Sequence, residues 1–117
     1  MFSMHILQVA YDRGLLATRA LLLERCGYLV TSVFGNDSAM GIGGDVLSTV
    51  DVVVIGFSTK PTVRAEVILW FKQNYPAIPV VALQVNAFEK FPKADCVTLS
   101  EDPLIWLSAL ARTVKPK

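Results

Sequence analysis

The sequence predicts an α/β protein in which a parallel β-sheet carries helices on both faces. Three observations predict this class. Short runs rich in β-branched residues alternate with longer amphipathic segments along the 117 residues. The turns between these segments are brief. The composition, 53% hydrophobic and 18% charged, is sufficient for a buried core without cross-links or metal, and we expect one domain over residues 1–117.

Five runs predict the strands, and they share aliphatic or β-branched residues that end at turn residues. In chain order they are MHILQVA (4–10), YLVTSVF (28–34), DVVVIGF (51–57), IPVVALQV (78–85) and DCVTLS (95–100). The third run is the most uniformly β-branched. It is therefore expected at the centre of the sheet, where both faces of a strand are buried.

The segment after the first strand predicts a clear helix. Leu15, Leu22 and Cys26 lie on one helical stripe, which we expect to face the core. Arg19 falls mostly outside that stripe. Gly27 supplies a C-terminal stop.

The segment after the second strand predicts a weaker helix. Asp37 or Ser38 is a plausible cap, but Gly41, Gly43 and Gly44 follow. Each glycine in a helix interior costs about 1 kcal/mol relative to alanine, so this helix is predicted to be short, displaced or frayed. The glycines support neither a phosphate-binding loop nor a dinucleotide fingerprint, because no Lys-Ser/Thr pair follows them and they do not follow the first strand.

The segment after the third strand predicts a helix that stops before Pro76. Val67 and Phe71 are expected on its core face, and Arg64 largely off that face.

The connection between the fourth and fifth strands, NAFEKFPKA (86–94), is too brief for a full crossover helix with its two loops. The last helix then begins with an Asp102 cap and Pro103 at its first position. Its expected core stripe is Trp106, Leu107, Leu110 and Ala111.

The segment ILQVAYDRGLLATRALLLERCGYLV resembles a response-regulator receiver domain of the two-component, CheY-like type. VDVVVIGF, AIPVVAL and KADCVTLS resemble the third, fourth and fifth strands of that family. The resemblance covers nearly the whole chain and follows a fold pattern more than a set of catalytic motifs. It implies a flavodoxin-like, doubly wound five-stranded parallel sheet of order 2-1-3-4-5, here with a shortened or missing fourth helix.

Receiver chemistry uses an aspartate that accepts phosphate, an acid pair that holds Mg²⁺, a hydroxyl and a lysine. Carried over to this chain, the acid pair falls on Ala10 and Tyr11, the acceptor on Gly56, the hydroxyl on Gln84 and the lysine on Ser100. All five are lost. The resemblance therefore implies a degenerate pseudo-receiver with no catalytic residues, no metal and no cofactor.

Other candidate residues favour structural roles. Asp12 is the only carboxylate left beside the former acid pair, and a turn or helix-cap role is favoured over metal binding. His5, the only histidine, starts the first strand, far from the carboxyl ends where this fold places its sites. Ser58, Thr59 and Lys60 have no adjoining base and are typical of a turn before proline.

The function favoured by this reading is a phosphorylation-independent interaction or dimerisation module in bacterial signalling or regulation. Its partner is another protein or a second copy of the chain, and it is not an enzyme. The predicted interface residues are Leu104, Ile105, Trp106, Phe88 and Phe91.

The alternative is a small-ligand-binding domain. Tyr11, Phe57 and Gln84 surround the crevice from which charge has been removed, and they are predicted to hold a small uncharged ligand.

Composition excludes several other classes. The net charge of +1 and the absence of a basic stripe argue against nucleic-acid binding. No apolar run reaches the length of a membrane span, and the first residues do not resemble a secretory signal. Cys26 and Cys96 are expected to be inward-facing free thiols. A cytoplasmic location follows as the expectation.

Overall fold

A computed structural model describes residues 4–86 and 88–113 of the chain. Its five strands are β1 (His5–Ala10), β2 (Leu29–Phe34), β3 (Val52–Ile55), β4 (Val80–Gln84) and β5 (Cys96–Leu99). All pairs are parallel, in the order β2-β1-β3-β4-β5. The predicted sheet and its strand order are confirmed.

The helices are α1 (Arg13–Arg25), α2 (Gly35–Met40), α3 (Gly44–Leu47), α4 (Pro61–Asn74) and α5 (Pro103–Thr113). The segment predicted to form a weak helix forms two short ones, α2 and α3. The predicted cap at Asp37 or Ser38 is wrong, since α2 begins at Gly35 with no side-chain cap. Gly35 has a φ of 85°, which glycine adopts without strain, so the chain turns into the helix earlier than expected.

Alternation along β3 divides the core between the two faces of the sheet. Val53 and Ile55 pack with Val67 and Phe71 of α4. Val52, Val54 and the tryptophan of α5 share the cluster on the opposite face. Because β3 is buried on both faces, its uniformly apolar sequence is explained.

The connection from β4 to β5 contains no helix among the residues the structure describes there. This agrees with the count of residues in that segment. Phe91 lies in the middle of the connection with only 5% of its surface exposed, and it packs into the cluster shared by the sheet and α4. One aromatic ring thus covers part of the sheet that a crossover helix would otherwise cover.

On α1 and α5, three predicted orientations are wrong. Arg19 is only 5% exposed and lies beside Leu23 on the buried side of α1, whereas Cys26 is exposed. The buried stripe is therefore rotated from the predicted one, and Cys26 lies just past the end of α1. On α5, Ala109 is buried and Ala111 is exposed.

None of the helices in the described part of the chain is long and apolar enough to cross a membrane.

Candidate functional site

The carboxyl edge of the sheet brings together the positions carried over from the receiver resemblance. Gly56 follows β3 directly, and its N–H donates to the carbonyl of Val9 at 2.8 Å, which places it beside Ala10 of β1. Ser100 follows β5, and its N–H donates to the carbonyl of Gln84 at 2.9 Å. Neither Gly56 and Ala10 nor Ser100 and Gln84 carry a carboxylate at this edge.

Arg19 of α1 reaches over Gly56. A Cβ atom placed on Gly56 would lie 2.8 Å from Arg19 Nη1 and 3.2 Å from the carbonyl oxygen of Val9. The guanidinium also lies over the ring of Phe57, 5.0 Å from its centroid. An arginine therefore occupies the space into which a side chain at position 56 would project, and glycine is the residue that leaves room for it.

The guanidinium of Arg19 has no direct partner among the described residues, although the residue as a whole is only 5% exposed. It forms neither an ion pair nor a hydrogen bond with them. Burial lowers the pKa of Arg19, and the negative charge of Asp12 opposes that shift at longer range. The guanidinium remains a cation, because arginine is effectively never deprotonated in proteins.

Arg64 of α4 reaches over the neighbouring strand from the other face of the sheet. Its side chain is 1% exposed, donates to the carbonyl of Leu83 at 3.2 Å and forms an ion pair with Glu89. The guanidinium lies 4.9 Å from the ring centroid of Phe91. The expectation that Arg64 faces away from the core is wrong, because its stem crosses the core edge to reach these polar partners.

Glu89 holds the connection between β4 and β5 against α4. Its carboxylate accepts from Arg64 and from the N–H of Val85, the latter at 3.3 Å. The hydrogen bond from Arg64 lowers the pKa of Glu89 below its usual value, with a smaller contribution from the backbone N–H. The carboxylate is therefore ionised at neutral pH and anchors the segment.

Tyr11 ties β1 to two helices. Its hydroxyl donates to Asn36 Oδ1 at 2.5 Å, and Asn36 Nδ2 donates to the carbonyl of Val63 at 2.8 Å. Burial raises the pKa of Tyr11 to about 12, so the phenol is neutral and remains a donor at physiological pH. Tyr11, at a position that the receiver resemblance assigns to the acid pair, therefore makes a structural hydrogen bond.

A partly open pocket of about 250 Å³ lies between α1, the ends of β3 to β5 and the start of α5. Most of its wall is apolar, and these residues are Leu15, Leu22, Phe57, Val85, Pro103 and Trp106. The polar lining comes from Thr18, Arg19, Ser100 and Glu101.

The three residues predicted to form a ligand crevice have different neighbours. Phe57 lines the pocket beside Arg19, Gln84 lines a separate depression with Phe91, and Tyr11 bonds to Asn36. The expectation of an uncharged crevice is wrong at Phe57, because a guanidinium lies on its ring.

The other candidate residues have structural contacts. Asp12 caps α1 by accepting from the N–H of Leu15 at 2.9 Å, which confirms its interpretation as a cap. His5 bonds through its two ring nitrogens to Thr31 and Thr49 at the amino edge of the sheet. Lys60 precedes the first residue of α4. Over residues 4–86 and 88–113, no three His, Cys, Asp or Glu side chains lie close enough to hold a metal ion.

The five predicted interface residues divide into exposed and buried ones. Phe88, Leu104 and Ile105 are 89%, 76% and 50% exposed. Trp106 and Phe91 are buried at 2% and 5%, so the prediction that these two form a surface is wrong. They fill the two faces of the core instead.

No protein-family model matches the sequence, and no curated protein matches it either. Solved structures do match. The response regulator TrrA from Thermotoga maritima, in complex with Mg²⁺ and BeF, has a TM-score of 0.80 at 13% identity and covers 96% of this chain and 99% of its own. The non-phosphorylated HemR receiver domain from Leptospira biflexa has a TM-score of 0.81 at 20% identity and covers 98% and 97%.

The chemotaxis response regulator CheY4 of Vibrio cholerae is similar to the same extent, with a TM-score of 0.79 at 15% identity over 96% of this chain and 99% of its own. At this level of identity the likeness establishes the fold. The chain has the CheY-like receiver fold that the sequence predicts.

Proposed function

We propose that this chain, which has the receiver fold, is a phosphorylation-independent pseudo-receiver that acts through protein contacts in bacterial signalling or regulation. One observation supports the proposal most strongly. The guanidinium of Arg19 takes up the space beside Gly56, where an acceptor aspartate would project. Without a carboxylate there, no covalent phosphoryl acceptor exists at this position.

The electrostatics of the edge also disfavour Mg²⁺. A protein site for Mg²⁺ uses one or two carboxylates together with phosphate oxygens. Asp12, the carboxylate nearest the former acid pair, already caps α1, and the buried positive charge of Arg19 repels a second cation. We therefore propose no catalytic activity and no metal for this domain.

The proposed contact surface is the start of α5, where Leu104 and Ile105 are adjacent and exposed. Phe88, in the connection that replaces a crossover helix, is a second exposed apolar residue. Large apolar side chains exposed together mark protein interfaces more often than single ones do.

The structure of TrrA with the histidine kinase ThkA gives a precedent for protein binding by this fold. A protein partner or a second copy of this chain fits the apolar surface. The net charge of +1 is too small to favour nucleic acid as the partner.

Incubation with acetyl phosphate and Mg²⁺ is expected to leave the intact mass of the protein unchanged, because the edge has neither acceptor nor metal site. Mass spectrometry of the whole chain measures this directly. TrrA, known in complex with Mg²⁺ and BeF, is the positive control. A Mg²⁺-dependent phosphoryl adduct on this chain would contradict the proposal.

A Gly56→Asp variant sharpens that experiment. It restores the acceptor but not the acid pair, and the new carboxylate would lie against Arg19 Nη1. We expect it to pair with the guanidinium and to remain unphosphorylated. Circular dichroism confirms that the variant is folded, and phosphorylation of the folded variant would show that the lost acid pair is not limiting.

Exchange of Ile105 for glutamate is expected to abolish self-association, since a charge in the centre of an apolar contact is strongly unfavourable. Light scattering over a concentration series measures the oligomeric state. Leu21→Glu is the matched control, because Leu21 is 51% exposed on a different helix. A wild-type protein that remains monomeric throughout the series would contradict dimerisation and restrict the proposal to a different protein partner.

A further inference from the structure

The pocket beside Arg19 has no part in the proposed protein contacts, and its chemistry is unusual for a protein edge. Arg19 is only 5% exposed and lines the pocket, yet it has no anionic partner within bonding distance among the described residues. The Phe57 ring attracts the charge but accepts no conventional hydrogen bond. The guanidinium nitrogens reach the solvent of the pocket without a protein partner, so an anion that enters can replace water and pair with the charge of Arg19.

The pocket has the dimensions of a small organic molecule. Its volume is about 250 Å³, whereas an apolar cavity of about 150 Å³ holds benzene. Leu22, Val85 and Trp106 supply apolar wall away from the guanidinium. A ligand with one ring or a short alkyl chain, and one charged end, matches both the size and the lining.

The charge in the pocket favours a single negative group over phosphate. Among the described residues one guanidinium lines it, and the acidic residue Glu101 lines it as well. The hydroxyl of Thr18 already donates to the carbonyl of Gly14 at 2.9 Å, which leaves the hydroxyl of Ser100 and the indole N–H of Trp106 as the other side-chain donors of the described lining. Guanidinium binds a carboxylate through two parallel hydrogen bonds. A doubly charged phosphate would meet one guanidinium and stronger repulsion from Glu101 than a monoanion would.

We propose that the pocket beside Arg19 binds a small monocarboxylate with an apolar body, with the carboxylate on Arg19 and the body against Leu22, Val85 and Trp106. The pocket adjoins the start of α5, but neither Leu104 nor Ile105 lines it. The inference goes beyond the proposed interaction role, and inertness to phosphodonors neither supports nor opposes it.

Benzoate is the probe, and amide chemical shifts from heteronuclear NMR are the readout. Titration of the full chain is expected to shift the amides of Arg19, Phe57 and Ser100 with a dissociation constant between about 10 µM and 1 mM. Benzamide, the neutral analogue, and inorganic phosphate are expected to bind about 10- to 100-fold more weakly. An unchanged spectrum at tens of millimolar benzoate would overturn the proposal, as would equal binding of benzamide or tighter binding of phosphate.

Variants assign the effect to Arg19. Arg19→Met keeps the length of the side chain and removes the charge, and it is expected to weaken benzoate binding about 10- to 100-fold. Because an apolar replacement of a buried charge is often neutral or stabilising, the variant should fold, and its thermal midpoint checks this. Arg13→Met is the matched control, since Arg13 lies on the same helix and contacts Phe34 at 4.4 Å.

Glu101 supplies an independent test of the sign of the charge. Glu101→Gln is expected to tighten benzoate binding about two- to five-fold by removing a negative charge from the lining. Unchanged benzoate affinity in folded Arg19→Met, or weaker affinity in Glu101→Gln, would overturn the assignment.

Discussion

Replacing Glu89 with alanine is expected to lower the free energy of unfolding by about 3 kcal/mol. The change leaves the guanidinium of Arg64 buried, with the carbonyl of Leu83 as its remaining polar partner. It also releases the N–H of Val85. The value lies toward the lower end for a broken buried ion pair, because the Glu89 side chain is 16% exposed. Urea denaturation of both proteins measures the difference.

Two variants separate the ion pair from its surroundings. Lys90→Ala, at an exposed neighbouring position, is expected to change stability by less than about 0.5 kcal/mol. The double variant Arg64→Met, Glu89→Leu replaces both charges and should recover most of the loss, because no charge is then left unpaired. If Glu89→Ala were as stable as the wild type, the pair would not anchor the connection between β4 and β5.

The same pair predicts a pH dependence. The pKa of Glu89 is lowered in the folded protein from its usual value of 4.5 by the hydrogen bond from Arg64. Its stabilisation is therefore complete above that value and is lost as the pH falls through the lower folded pKa. The stability difference between the wild type and Glu89→Gln should be constant from neutral pH to about pH 5 and should shrink at lower pH. A difference that grows in acid would contradict this assignment.

Replacing Trp106 with alanine is also expected to lower the free energy of unfolding by about 3 kcal/mol. The indole is 2% exposed and packs with Leu23, Leu83 and Leu110 between α1, α5 and the sheet. The loss should fall at the lower end for a buried tryptophan, because solvent can enter from the adjoining pocket. Thermal and urea denaturation measure it.

Ile105→Ala is the matched control for Trp106, since it is the preceding residue on the same helix and is 50% exposed. Its expected effect on stability is less than about 0.5 kcal/mol. The two variants thus separate a residue that holds the core from one available to a partner. If Trp106→Ala retained wild-type stability, the contribution of Trp106 to the stability of the core would be contradicted.

The sheet could be predicted because local chemistry decides it. Continuous β-branched runs such as that of β3 suit strands buried on both faces. The described residues between β4 and β5 form no crossover helix, and this follows from counting residues 86–94. Both inferences need only the chain itself.

The two buried arginines could not be predicted from helical periodicity. Arg19 and Arg64 belong to polar stripes by sequence, but long flexible stems carry their charges over the ends of β3 and β4. One signal was present at the first of these sites. Gly56 at the end of an otherwise β-branched strand indicates close approach by another group, although the sequence does not show which group it is.

The exposed thiol of Cys26 has a practical consequence for studies of this protein in solution. α1 runs away from the carboxyl edge of the sheet, so its last turn lies at the opposite pole from the start of α5. Air oxidation of Cys26 would join two molecules through a disulfide remote from the proposed contact surface on α5. The product would be measured as a dimer although that surface is not involved. Reductant removes this artefact, and the same thiol accepts a maleimide fluorophore far from the α5 surface.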